Sequence, residues 1–400
     1  MSRLKSLFTS NIWMALILFY FSSPYFVWHI PFKNYINIFA IIILSFTCYK
    51  HRKKMVISDQ ILIFMYLITW VYYMIQLYFS GRNFFGLIEN APICLLCFVT
   101  IVRKDYGEKV LNQYVDIYSC VIFISIIVWL VSLLMPIPST GMIDHYGEMR
   151  QYDTYPFLVK ERLVVDSFRF YGLFDEPGIV GTTGAILLCL LKFDFTDKRT
   201  WIIFLSGILS MSFFFYTVVA VYSLTYLCFV KKAIPQTILI AIAFLLFYLL
   251  TKDHEIFSKV IWARFEWDSE LGKFAGDNRT NDLANEYFNK IRGTSEYFFG
   301  VRNLEQYWSF AEGDSSYKNI IAMYGAIFLS MYCLYYILFA YSYRQTLFSF
   351  GLFCFFFLLN MYQRSNIYST LWMFLYVALA RGFSIKKYKE QRASSLINNK

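Results

Sequence analysis

The sequence predicts an all-α polytopic membrane protein with about 12 transmembrane helices and two large extracytoplasmic loops. Three observations predict it. The 400 residues are 58% hydrophobic and 16% charged, with a mean hydropathy of +0.47, whereas a soluble domain carries roughly 25% charged residues. Apolar runs recur along the whole chain, many of them close to the ~20 residues that a helix needs to cross hydrocarbon. The third observation is that basic residues gather at the ends of these runs and on alternate sides, as orientation by positive charge requires.

In chain order the runs place helices at 12–31, 35–49, 60–79, 84–102, 117–137, 177–192, 200–212, 214–230, 234–250, 318–340, 346–362 and 367–380. The first follows Arg3 and Lys5 but lacks a small-residue cleavage site, so it reads as a retained helix rather than a signal peptide. The stretch 200–230 is too long for one span and short for two. A tight turn near Ser210–Ser212 makes it two short helices; one helix plus a re-entrant piece is the alternative. With the N-terminus in the cytoplasm, the inner connections hold Lys50, Arg52, Lys53, Arg103, Lys104, Lys192, Lys198, Arg199, Lys231 and the basic tail. The short outer connections hold only Lys33, Arg82 and Arg364. This asymmetry supports an even count and both termini in the cytoplasm. The whole of 1–400 is then one integral membrane domain.

Two connections are long and polar, 138–176 and 251–317, and both face outward in this arrangement. Pro177 at the end of the first suits the first turn of a helix, where a backbone N–H has no partner to lose. In the second, Leu283, Tyr287, Phe288 and Ile291 form one apolar helical stripe, and Gly293 is a natural stop.

The net charge of +10 is accounted for by the run ends, so nucleic acid is not an expected partner. None of the eight cysteines falls in a long loop, so no disulfide framework is expected there. Cys94 and Cys97 form a C-x-x-C within an apolar helix, where free cysteine behaves as a small buried residue. Glu266, Asp268 and Glu270 alternate but lack a neighbouring histidine, and read as a solvated acidic patch rather than a metal site. No metal and no cofactor is expected. Glu89 is the acidic residue deepest within a predicted span; it suits either proton coupling or a hydrogen-bonded helix contact.

The densest polar cluster runs from Arg169 to Gly178, where the first long loop re-enters the bundle. It joins a guanidinium, Asp175, Glu176 and a helix N-terminus, whose unpaired N–H groups favour an anion. Arginine holds a phosphate in a two-pronged geometry that lysine cannot match. An Arg169–Glu176 ion pair with acidic capping explains the same residues without a ligand. In the second long loop, Arg279 opens the amphipathic stretch, Arg302 follows Gly300, and Gly313–Asp314–Ser315–Ser316–Tyr317 leads into the next helix. Asp314 suits a general base or the N-cap of that helix.

At these clusters the chain resembles the Wzy-type O-antigen and capsule polymerases and their relatives, the O-antigen ligases. The resemblance rests on the layout with two enlarged outer loops and on an R-x-x-G-x-F-x-E-P pattern at Arg169, Gly172, Phe174, Glu176 and Pro177. It also rests on an Arg-led stretch from Arg279 to Gly300, and on Gly313–Tyr317 entering a helix with Tyr324–Gly325. It implies a glycosyltransferase in the bacterial cytoplasmic (inner) membrane. Such an enzyme moves a polyprenyl-diphosphate-linked glycan onto the next lipid-linked repeat at the outer face. A chain-length regulator and a flippase are the protein partners it implies. On this reading Arg169, Arg279 and Arg302 hold the leaving diphosphate, and Glu176 or Asp314 takes the acceptor proton. Ligase relatives place a histidine near the last loop–helix junction. This chain has Asp314 and Ser315 there, which turns the expectation towards polymerase. A flippase or transporter of lipid-linked oligosaccharide, an O-antigen ligase, and a non-catalytic scaffold are the alternatives.

Overall fold

The computed structural model describes residues 10–30, 33–50, 57–79, 95–97, 100, 103–144, 151–162, 168–230, 232, 234–254, 258, 262, 266–268, 273–274, 282–301, 307, 317–363, 371–383 and 385. It is mostly helical. The main helices are α1 (Ser10–Tyr20), α2 (Lys33–Lys50), α3 (Ile57–Phe79), α4 (Lys104–Leu134), α5 (Pro177–Leu190), α6 (Lys198–Leu209), α7 (Phe213–Thr225), α8 (Ile234–Thr251), α9 (Asp282–Ile291), α10 (Ser295–Phe299), α11 (Tyr317–Ser342), α12 (Leu347–Gln363) and α13 (Leu371–Ala380). Among the described residues, α4 and α11 are long and apolar enough to cross a membrane. Shorter apolar helices occupy most of the remaining expected positions. The expected helix at 84–102 lies largely outside the described residues.

The bundle is held by one large core rich in Tyr and Phe. Helix α4 is its long strut, packed on α1 and α6; α5 sits between α6, α7 and α13, and α11 between α3, α12 and α13. Near the start of α6 the buried Arg199 (8% exposed) donates to Asp116 Oδ1 of α4 at 2.6 Å and to Asp197 Oδ2 at 2.6 Å, which pins the two helices together.

The expected turn near Ser210–Ser212 is present. Ser210 ends α6, Ser212 precedes α7, and Met211 between them takes a positive φ of 49°. Pro177 is in the first turn of α5, as its missing N–H suggests. Other expectations are corrected. The first helix stops at Tyr20 instead of running to 31, because Ser22 Oγ bonds the Phe19 carbonyl, Ser23 turns to φ 55° and Pro24 cannot continue the helix; a 3-10 turn at Tyr25–Val27 follows. The fold is also not purely α. The first long loop contains a three-stranded antiparallel meander, β1 (Gly141–Asp144), β2 (Gln151–Tyr155) and β3 (Leu158–Glu161), and the second a two-stranded ladder, β4 (Trp267–Asp268) with β5 (Lys273–Phe274). Alternation such as Tyr152 and Thr154 in, Gln151 and Asp153 out, is the strand pattern that the helix-directed reading passed over. Finally, the stripe of α9 is Ala284, Phe288 and Ile291 with Tyr287 at its edge, while Leu283 is 59% exposed. Gly293 follows the helix with φ 84° and is its stop.

Candidate functional site

The first loop is folded onto the bundle by a small aromatic core of its own: Val27, Trp28, Tyr152, Val159 and Tyr171. Trp28 meets Tyr152 edge-on at 5.2 Å. The meander is then joined to the 170–174 segment, with Val159 N donating to Gly172 O at 2.9 Å and Tyr25 N to Leu173 O at 2.7 Å. Gly172 has φ 57°, which a glycine adopts without strain, and the bend turns Leu173 and Phe174 into the core.

Arg169 has a defined structural task. The end of α6 leaves carbonyls without intrahelical partners and a partial negative charge. Arg169 Nε and Nη2 donate to Ser210 O at 3.2 and 3.1 Å, Nη2 also reaches Met211 O at 3.3 Å, and Phe170 N donates to Leu209 O at 3.0 Å. The arginine therefore caps the α6–α7 turn. The same turn is pressed on α5 at Gly181, where a Cβ would come within 2.2 Å of Ser212 Cβ.

Glu176 is the N-cap residue of α5, with extended φ −136° and ψ 139°, and its carbonyl accepts from Ile179 N at 3.1 Å. Its side chain makes no cap bond to that helix. Between Arg169 and Glu176 lies Tyr171, 3% exposed, whose hydroxyl donates to Glu161 Oε2 at 3.2 Å. Burial, the Glu161 carboxylate and Glu176 push the Tyr171 phenol well above its ordinary value, against the opposing pull of Arg169. Tyr171 thus feels Glu161 through a hydrogen bond and Arg169 and Glu176 through their charge. Glu161 has no sequence signal: only the bond between β3 and the 170–174 segment brings it here. Tyr171 was visible within the polar cluster but without a role.

The height of this corner is fixed by α4. Phe170 packs edge-on against Trp129 at 6.0 Å, a Cβ on Gly172 would touch Ile122, and Ser125 Oγ donates to Phe157 O at the meander's hairpin tip at 2.5 Å. Ile122, Ser125 and Trp129 all lie within the apolar part of α4, Ile117–Leu134.

The second loop is anchored on the first turns of α11. Lys318 Nζ donates to Asn285 Oδ1 at 2.5 Å and lies 5.8 Å from the Phe288 ring; Tyr307 donates to buried Asn319. Val301 N donates to Ala322 O at 2.7 Å, just before α11 breaks at Gly325. Arg279, Arg302 and Asp314 lie outside the described residues, as do Glu89 and Glu270. Arg302 follows Val301 directly in sequence, and Asp314 precedes α11 by three residues.

Among the described residues no group of three or more His, Cys, Asp or Glu is placed to hold a metal ion. Comparison with known proteins returns no match to a family model, to a curated protein or to a solved structure.

Proposed function

We propose that this chain is a membrane glycosyltransferase that polymerises lipid-linked glycan repeats, working at the outer end of α5 and α6. In this reading α4, α11 and the shorter apolar helices are parts of a multi-span bundle in the bacterial cytoplasmic membrane. The expected count is about twelve, with both long loops outside.

One observation carries the proposal: the segment that holds Arg169 and Tyr171 packs through Phe170 and Gly172 on Trp129 and Ile122, within the apolar length of α4, and Tyr171 brings Glu161 to it. Helix α5, with 14 residues, is about 21 Å long and α6, with 12, about 18 Å, against a hydrocarbon core of ~30 Å. In a bilayer-spanning bundle, helices this short would leave the cluster below the headgroup layer. Irregular backbone at such depth persists only where protein satisfies it, as the bonds of Gly172, Leu173 and Phe170 do here. A substrate whose charged group is tethered to a membrane lipid reaches this depth without leaving the bilayer, and a polyprenyl diphosphate is such a group.

The chemistry follows from the charges. The acceptor hydroxyl attacks the anomeric carbon, its proton goes to a carboxylate, and the diphosphate leaves with the lipid. Arg169, with Arg279 and Arg302 from the second loop, supplies positive charge to the leaving group, and Glu176 or Asp314 takes the proton. No metal is required in this scheme. A flippase is the second reading, favoured by the number of apolar helices. Its disadvantage is the lack of cationic residues along them, which moving a diphosphate would call for. The test is reconstitution with a lipid-linked repeat. A ladder of polymer supports the proposal, while movement of intact repeat across vesicles supports the flippase.

A further inference from the structure

We propose that Glu161 is a sugar-binding residue of the same site, accepting a hydrogen bond from a hydroxyl of the lipid-linked glycan, and that Tyr171 is the residue that positions it. The proposal rests on the polymerase reading and adds to it the part of the substrate that the meander recognises.

The argument begins with strand register. Antiparallel pairing sets Glu161 opposite Tyr152, and the Val159 N to Gly172 O bond fixes β3 beside the 170–174 segment. Tyr171 is locked by packing, since its ring belongs to the small core with Trp28, Tyr152 and Val159. Its hydroxyl thus has one place to point, and there it meets Glu161 Oε2. A carboxylate accepts hydrogen bonds at both oxygens. The tyrosine hydroxyl occupies one position on Glu161, and the residue is half-buried rather than sealed, which leaves the carboxylate capacity to accept a second donor.

Charge decides what this carboxylate meets. A diphosphate is repelled by Glu161 and Glu176 and attracted by Arg169. Sugar hydroxyls are donors that a carboxylate accepts strongly. The corner therefore sorts the substrate, with phosphate towards the arginine and sugar towards the meander. Tyr171, two residues from Arg169, holds Glu161 by its hydrogen bond, which sets how far from the diphosphate the recognised hydroxyl lies. Locking of this kind is what a site needs to hold its geometry.

The test uses full-length protein, purified in detergent and supplied with a polyprenyl-diphosphate-linked repeat. KM and kcat for polymer formation are measured for Glu161→Ala, Glu161→Asp, Tyr171→Phe and the Glu161→Ala/Tyr171→Phe double variant. We expect Glu161→Ala to raise KM at least about tenfold, as loss of a charged hydrogen bond does, with kcat within about threefold of the parent. Glu161→Asp should recover part of the affinity. Tyr171→Phe keeps the packed ring and should raise KM by about threefold or more, and the double variant should be no worse than Glu161→Ala alone. An unchanged KM in Glu161→Ala, or a double variant whose losses simply add, overturns the proposal and leaves Glu161 a staple of the meander. If the parent protein forms no ladder, the polymerase reading falls first and takes this assignment with it.

Discussion

Gly300 and Gly325 interlock. Gly300 has φ 89° and Gly325 φ 88°; a Cβ on Gly300 would sit 2.6 Å from Met323 O, and one on Gly325 2.2 Å from Phe298 O. Each glycine lets the other's neighbouring backbone in, and the Val301 N to Ala322 O bond closes the contact. The pair joins the end of α10 to the break in α11.

Alanine at either position should therefore be severe. We expect Gly325→Ala to cost about 3 kcal/mol or more, combining the left-handed backbone with a clash against main chain. Gly351→Ala is the control. It lies in α12 with nothing within 4 Å and ordinary φ, so it should be neutral or stabilising by up to about 1 kcal/mol. Thermal unfolding of the detergent-solubilised variants, followed by size exclusion, separates the two.

Arg169 caps the α6–α7 turn, and in the proposed function it also offers charge to the diphosphate. Arg169→Ala should abolish polymer while lowering stability by about 2 kcal/mol, the range for hydrogen bonds from a charged donor. Arg169→Lys keeps a cation but loses the fork and should retain only a small part of the activity. The number to compare is polymer formed per inserted, folded protein. Full-length polymer from Arg169→Ala would remove it from the diphosphate clamp.

Arg199 is bound to Asp116 and Asp197 far from the proposed chemistry. Arg199→Ala leaves the half-buried Asp197 without its guanidinium, and we expect a loss of about 2 kcal/mol. The specific activity of the protein that still folds should be unchanged, as a urea or thermal series beside the polymer assay would record.

Tyr171 carries a pH signature. Its phenol is raised above the ordinary value by burial and by Glu161, so the stability it contributes is complete below the unfolded value of about 10 and declines as pH rises towards the folded one. Tyr171→Phe has no proton to lose. The stability gap between parent and variant should be largest near pH 7 and shrink above pH 10, by up to about 1.4 kcal/mol per pH unit. A gap that stays constant to pH 11 contradicts the environment described here.

Much of this arrangement was legible in the sequence for identifiable reasons. Apolar runs and their basic ends placed α3, α7, α8, α11 and α12 within a few residues, because length and charge are what a membrane span is made of. Pro177 and Gly293 marked a start and a stop through backbone chemistry alone. The first helix was overextended because Ser22, Ser23 and Pro24 were weighed by hydropathy rather than by turn chemistry. The meander was missed because its strands are short and their alternation is diluted by abundant aromatics. Glu161 was invisible because its partner, Tyr171, is ten residues away across a tertiary contact. Arg169 was singled out for its charge, but its cap on Ser210 depends on a turn forty residues on.

The most direct test of the central claim is one coupling step. Purified protein is mixed with a polyprenyl-diphosphate-linked repeat, and the two-repeat lipid-linked product is followed with time, for the parent and for Glu176→Gln. The account predicts that the parent forms this product and then a ladder, releasing one polyprenyl diphosphate per coupling, while Glu176→Gln stays inserted and folded but forms at most about a hundredth as much. A parent that forms no two-repeat product, or a Glu176→Gln variant that couples at the parent rate, would contradict the placement of this reaction at the Arg169–Glu176 corner.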